Sequence, residues 1–375
     1  MNKPIYLDYA STTPVDKDVI KEMVPFFTEN FGNAGSSTHQ FGWFANGAIK
    51  RARKQIANSI NCEESEIIFT SGATESINIA IQGVFNLYSS KGNHIIISKT
   101  EHKAVIDTVN FLKKKGARVT YLDVGTNGLI SLEELKKLIC NETVLIAVMW
   151  VNNETGVIQD VVEISNIAYQ NKIPFLCDGA QTLGKLNINM TENHIGLMPL
   201  SSHKIFGPKG VGALFIRRKN PRIALEPLIH GGGQEKGFRS GTMNVPGIVG
   251  FGVAAEKGQT QILENQKRIK NIKFQFIEFF SQYEAIINGN TKACNHILNI
   301  RLPHLKAAEL IKKTRNISYS LGSACNSDDL SPSHVLVAMG LDVSECETSF
   351  RLSFSHHTTD KEIKEACCIF QEALQ

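Results

Sequence analysis

Long apolar runs are missing from this chain of 375 residues: none approaches the roughly 20 residues that a membrane-spanning helix needs. The opening Met1-Asn2-Lys3-Pro4-Ile5-Tyr6 has no apolar signal core, so a cytoplasmic location with no membrane association is expected. An excess of one charge is missing too. Forty basic residues meet 36 acidic ones for a net +4, and no Lys/Arg block or aromatic–basic interleaving marks a nucleic-acid face. Direct nucleic-acid binding is therefore not expected. The eight cysteines include no CxxC pair and no ligand-like spacing, which argues against a zinc site or a disulfide framework, and no metal is expected. His356 and His357 are adjacent; on a strand they would face opposite ways, so they read as solvent-facing rather than as ligands.

What is present describes an ordinary globular protein, with 42% hydrophobic and 20% charged residues. The length exceeds what one compact core usually holds, so two domains are expected. Residues 6–14, small and polar, read as an arm or loop. Residues 16–30 and 44–60 follow a helical period, with a Gly/Ser-rich connector at 31–37 between them. From residue 67 strands (67–70, 94–98, 118–122, 143–151, 174–177) alternate with helices, and another strand is expected at 211–216. That alternation predicts an α/β fold with a mostly parallel sheet covered on both faces, whose chemistry sits at the carboxyl ends of the strands. Beyond residue 247 the pattern changes to a long helical stretch reaching about 283, strands at 297–302 and 350–354, and helices at 307–313, 333–339 and 359–374. This reads as a smaller α+β domain. The expected division is 14–250 for the large domain, with 1–13 and 251–375 forming the small one.

Four short stretches carry chemistry. Ser201-Ser202-His203-Lys204 precedes a Gly-Pro-Lys-Gly turn and a buried strand. A lysine shielded there becomes a nucleophilic amine able to form Schiff bases with carbonyl compounds such as pyridoxal phosphate; the alternative is a surface lysine in a turn. Ser71-Gly72-Ala73-Thr74-Glu75 joins a strand to a helix N-terminus, which suits an anion or, equally, ordinary capping. Asp178 ends a buried strand, where it can keep a pyridine nitrogen protonated or can serve as a turn aspartate. His102 follows another strand, placed to stack on a ring or shuttle a proton, or else to cap a helix. Among the cysteines, Cys325 has small polar neighbours and is the best nucleophile, whereas Cys140 and Cys177 sit in apolar contexts and are expected to be inert. The neighbouring Asp328 and Asp329 oppose thiolate formation.

Tyr6-Leu7-Asp8-Tyr9-Ala10-Ser11-Thr12-Thr13-Pro14, Phe69-Thr70-Ser71-Gly72-Ala73-Thr74-Glu75-Ser76, Thr100-Glu101-His102-Lys103-Ala104-Val105, Val151-Asn152-Asn153-Glu154, Ser202-His203-Lys204-Ile205-Phe206-Gly207-Pro208-Lys209-Gly210, Arg239-Ser240-Gly241-Thr242 and Gly322-Ser323-Ala324-Cys325 together resemble a cysteine desulfurase of the IscS/NifS type. The motifs follow that family's order from residue 6 to beyond residue 350.

The resemblance implies the pyridoxal phosphate-dependent fold of class V aminotransferases and a homodimer with both sites near the subunit interface. It implies Lys204 as the Schiff-base lysine, Asp178 on the pyridine nitrogen, Gln181 on the ring hydroxyl and His102 stacked on the ring. Ala73, Thr74, Ser201 and His203 would hold the phosphate, joined by Thr242 of the partner subunit. Asn153 and Arg351 would hold the carboxylate of L-cysteine. Lys204 would remove the α-proton and Cys325 would take the sulfur as a persulfide, releasing alanine. A sulfur-acceptor protein would then receive it, for iron–sulfur cluster assembly, tRNA thiolation or DNA phosphorothioation. The chain ends soon after the 359–374 helix, earlier than housekeeping members of the family, which leaves the acceptor open. Other readings are a selenocysteine lyase, another class V aminotransferase, or an inactive binding subunit on the same fold. Cys325 separates the first reading from transamination, which needs no thiol.

Overall fold

The computed structural model describes residues 4–290, 293–321 and 331–375. Among them the strands, in chain order, are β1 (Ile5–Tyr6), β2 (Ile67–Thr70), β3 (His94–Ser98), β4 (Arg118–Leu122), β5 (Thr143–Ala147), β6 (Phe175–Leu176), β7 (Leu197–Ser201), β8 (Gly212–Ile216), β9 (Ile286–Ile287), β10 (Ile297–Arg301), β11 (Ile317–Ser318) and β12 (Ser349–Ser353). Seven of these form one sheet in the order β2-β8-β7-β6-β5-β3-β4. All its pairings are parallel except the two that β8 makes with β2 and β7. The mostly parallel α/β sheet expected from the sequence is therefore present.

The apolar strands sort their side chains to two faces because successive residues point opposite ways. Ile95 and Ile97 of β3 join one core with Ile77 and Val84 of helix Ala73–Tyr88 and Val105 and Val109 of helix Lys103–Lys113. Ile96 turns the other way, into a core with Ile56 of helix Gln40–Ser59, Ile164 of helix Val161–Gln170 and Phe251 of helix Val245–Thr260. A separate core fills a second sheet, β12-β10-β9, against helices Ile262–Ser281, Ala307–Lys313 and Asp360–Leu374. Phe280, Phe350 and Phe370 are fully buried at its centre, with ring centroids 5.1–6.4 Å apart. No helix among the described residues is long and apolar enough to cross a membrane.

Several elements differ from expectation for physical reasons. The single helix expected at 16–30 is two, Lys17–Met23 and Pro25–Thr28, because Pro25 has no N–H to continue the first. The stretch expected to reach about 283 breaks between Thr260 and Ile262. Strand β7 was not anticipated: Pro199 lacks a ladder donor and argues against a central strand, yet its carbonyl accepts the Gly179 N–H at 3.1 Å. Residues 6–14 are the expected irregular arm apart from Tyr6, which ends β1, and an isolated bridge at Asp8. β1 pairs in parallel with β11, and Leu7 and Ala10 are buried.

Candidate active site

The loops after β2, β3, β5, β6 and β7 leave the same edge of the large sheet and enclose a cavity of about 510 Å³. Its lining contains Ala73, Thr74, His102, Asn153, Asp178, Gln181, Ser201, His203, Lys204 and Arg351, ten of the residues singled out from sequence.

Lys204 ends a single 3₁₀ turn that follows β7 directly. Its Nζ donates to the carbonyls of Ala10 (2.7 Å) and Ser11 (2.6 Å), so residues 10–12 form the wall opposite the lysine. Gln181 is held between two groups: its Nε2 donates to the Ala10 carbonyl and its Oε1 accepts from Lys185 Nζ, both at 2.8 Å. Asp178 is only 6% exposed, and its Oδ1 accepts the Ala180 N–H at 2.9 Å. Burial pushes its carboxyl pKa up, while His102 and Lys204 pull it back.

His102 satisfies both of its readings. It is the N-cap of helix Lys103–Lys113, with Nδ1 accepting the Ala104 N–H at 3.1 Å, and its ring also faces the cavity. With Nδ1 an acceptor, the neutral ring carries its proton on Nε2. At the other end the Ser71–Thr74 turn leads into the 16-residue helix Ala73–Tyr88, whose first N–H groups face the cavity. A Cβ on Gly72 would meet no atom of the described residues within 4 Å, leaving room against the turn. Glu75 braces it by accepting the Ser71 N–H (2.8 Å) and pairing with Arg239 (2.8 Å). His203 bonds Thr12 Oγ1 through Nδ1, and burial, then Lys204, lowers its pKa to about 4, so the ring stays neutral.

Arg351 of β12, 3% exposed, reaches the cavity from the second sheet. Nη2 pairs with Asp8 (2.6 Å), Nη1 donates to the Asn153 carbonyl (2.7 Å), and Nε is buried with no partner among the described residues. The loop carrying Asn153 is shaped by Asn152, whose Oδ1 accepts the N–H groups of Glu154 and Thr155 while Nδ2 donates to the Thr100 carbonyl.

Sequence reasoning passed over Ala10, Ser11, Thr12, Glu101, Glu154 and His334. Glu101 is buried beside Asp178; Oε1 accepts the Met149 N–H at 2.7 Å, and burial raises its pKa far above the carboxylate range. Glu154 is buried on the Ser333 hydroxyl, and His334 Nε2 donates to the Glu101 carbonyl at 2.9 Å. A carboxylate next to each recognised residue, in Glu101-His102 and Asn153-Glu154, was the available signal.

Cys325 lies outside the described residues. Its described flanks are fixed at the cavity: Ser320 exchanges both backbone hydrogen bonds with Arg351 (2.7 and 3.1 Å), and Ser333 and His334 are anchored as above. None of the seven described cysteines lines the cavity. Cys140 corrects an expectation: it is exposed rather than packed in apolar surroundings, and the Thr143 hydroxyl and Arg118 guanidinium lower its thiol pKa. Cys177 is fully buried, as expected. Thr242 is exposed and does not line this chain's own cavity. His356 and His357 lie past the end of β12, so strand alternation does not separate them. Their rings are 4.1 Å apart and each meets Phe206 edge-on at 4.9 Å. Groups of three or more metal-ligating side chains are absent among the described residues.

The model of the family Aminotransferase class-V matches residues 5–365. The chain belongs to the class V aminotransferase family. Among class V relatives, the cysteine desulfurase IscS of Neisseria meningitidis serogroup C (strain 053442) is 46% identical over 374 residues, 99% of this chain and 92% of the relative. A solved NifS-like protein superposes with a TM-score of 0.92 at 34% identity, covering 99% of each chain. SspA, solved in complex with cysteine, superposes with a TM-score of 0.84 at 38% identity over 95% of this chain and all of that one.

Proposed function

We propose that this class V enzyme is a pyridoxal phosphate-dependent cysteine desulfurase that converts L-cysteine to L-alanine and moves the sulfur through Cys325 to an acceptor protein. The observation that carries the reading is the convergence of Lys204, Asp178 and Arg351 on one cavity that no described cysteine lines, while the segment holding Cys325 begins and ends there. Cys325 is five residues from Ser320, within about 17 Å of extended chain.

The residues fit the cofactor. An amine faces the cavity, a buried carboxylate lies at its floor, and the 71–74 turn presents a helix N-terminus with open space beside Gly72. Pyridoxal phosphate, when bound, supplies an aldehyde for the amine and a protonated ring that withdraws electrons from the substrate α-carbon. Asp178 would keep the ring nitrogen protonated, Gln181 would meet the ring hydroxyl and His102 would cover the ring face. Ala73, Thr74, Ser201 and His203 would take the phosphate. The exposure of Thr242, away from its own cavity, supports a homodimer in which Thr242 of the partner subunit completes that site.

Arg351 and Asn153 hold the substrate carboxylate. Lys204 Nζ, steered by the Ala10 and Ser11 carbonyls, takes the α-proton. The Cys325 thiolate then attacks the substrate sulfur. A sulfur–sulfur bond forms, the carbon–sulfur bond breaks, and its electron pair ends in a carbon–hydrogen bond of alanine, so no outside oxidant is needed. The large domain runs from residue 14 through helix Val245–Thr260, beyond the boundary at 250 expected from the sequence, because Phe251, Ala254 and Ala255 pack in the core of the seven-stranded sheet. Residues 1–13 and those from 262 onward form the small domain, and the enzyme works in the cytoplasm. The test is incubation with L-cysteine followed by mass-spectrometric mapping of persulfide. Sulfur is expected on Cys325, and C325A should keep its bound-cofactor absorbance while losing sulfide release. Sulfur retained on another cysteine, or turnover undiminished in C325A, overturns the assignment.

A further inference from the structure

Behind the catalytic cavity lies a second one, of about 490 Å³, and Lys204 borders both. One wall is a single face of helix Ile262–Ser281, whose residues 262, 266, 269, 273 and 277 recur at helical spacing. The loop 184–186 and residues 293–296 close the other sides. The lining is mostly apolar, but its charge is lopsided. Lys185 Nζ donates to Gln181 Oε1 and Lys273 Nζ to the Cys294 carbonyl, both at 2.8 Å. Among the described residues neither amine has a carboxylate within 4.0 Å. Asp16 is the one described carboxylate lining the cavity, and it is engaged by Lys257 at 2.8 Å. His296 is buried beside them and supplies no negative charge.

Lys185 and Lys273 are half-buried, and ammonium groups drawn out of water without a counter-charge are unfavourable unless an anion joins them or they lose a proton. Burial, then the charge of Lys204, lowers the Lys185 pKa to about 7, and burial lowers that of Lys273. The protein thus holds a mostly apolar chamber, of a size that suits small ligands, lined by Lys185, Lys204, Lys257, Lys270 and Lys273 against the single described carboxylate of Asp16, which Lys257 engages. We propose that this second cavity binds a monocarboxylate with an apolar tail, its carboxylate met by Lys185 and Lys273 and its tail lying along Ile158, Leu186, Ile269 and Phe354. Such a ligand satisfies the amines and fills the space. Because Lys185 also orients Gln181, an occupant here adjoins the catalytic cavity without entering it.

Octanoate is the probe, titrated calorimetrically into the cofactor-loaded enzyme with saturating L-alanine present to occupy the catalytic cavity. Saturable binding is expected, with octanamide weaker by about tenfold or more because it lacks the charge. K273M should weaken octanoate by about tenfold or more while keeping L-cysteine turnover. N265W, which fills the cavity from the same helix face and leaves both lysines in place, should abolish binding. The proposal is overturned if octanoate and octanamide bind alike, if K273M or N265W leaves octanoate affinity unchanged, if L-alanine displaces octanoate, or if no binding appears up to about 10 mM.

Discussion

Arg351→Lys offers a sharp examination of substrate recognition, because Arg351 is the buried cation of the catalytic cavity that comes from the second sheet. Two guanidinium nitrogens are engaged, Nη2 by Asp8 at 2.6 Å and Nη1 by the Asn153 carbonyl at 2.7 Å, while Nε has no partner among the described residues. A lysine at 351 can keep the Asp8 pair as a point charge but cannot present a planar fork to a carboxylate at the same time. The loss is one charge-assisted hydrogen bond to the substrate, about 1.5–3 kcal/mol. That corresponds to a fall of about 10- to 150-fold in kcat/KM. The substrate carboxylate is held alike before and during the chemistry, so the change should appear mainly as a raised KM. Alanine formation across a range of L-cysteine concentrations measures it, with the melting temperature recorded alongside to show that the fold survives. A KM within about twofold of the parent with kcat reduced instead would refute carboxylate binding by Arg351 and leave it as a brace for Asp8 and Asn153.

Three further outcomes follow from the geometry. Glu235 takes Arg53 with both oxygens (2.6 and 2.9 Å) and also accepts the Phe69 N–H at 2.7 Å. Removing it in E235A should cost about 3–5 kcal/mol. Across 375 residues at about 2.1 cal/mol/K each, that lowers Tm by about 4–6 °C, and a drop below about 2 °C by calorimetry contradicts the estimate of the pair's role. A Cβ at Gly212 would lie 2.6 Å from the Gly72 Cα and 2.5 Å from the Leu200 carbonyl oxygen. G212A should therefore displace the 71–74 turn and weaken cofactor binding about 5- to 150-fold by fluorescence titration; unchanged affinity would detach that turn from the phosphate. Burial, then His357, holds His356 at a pKa of about 4, and burial, then Lys204, does the same for His203. Unfolded histidine takes its proton near pH 6.5, so the unfolded chain binds more protons in between and stability falls as pH drops from about 6.5 to 4. H356N should flatten part of that slope in melting temperature against pH, and an unaltered slope removes His356 as a contributor.

The amino-acid order determined the alternation of β2 to β6 with their helices, because fully apolar strands and amphipathic helices carry their periods locally. It also marked Asp178, His102 and the 71–74 turn, since each follows an expected strand, and Lys204 from its Ser-Ser-His and Gly-Pro-Lys-Gly neighbours, although the strand before it, β7, was not anticipated. Closure of the site was decided elsewhere. Ala10 and Ser11 meet Lys204 across more than 190 residues of chain, and Arg351 meets Asp8 across 343. No local pattern records such pairings, so only the folded chain puts them together. The same holds for the second cavity. Lys185 and Lys273 look like ordinary lysines in the chain and line one cavity, with no carboxylate within 4.0 Å of either among the described residues, only once helix Ile262–Ser281 packs over the 184–186 loop. Spacing along the chain encodes which residues share an element; which elements face one another depends on how distant apolar surfaces leave water together.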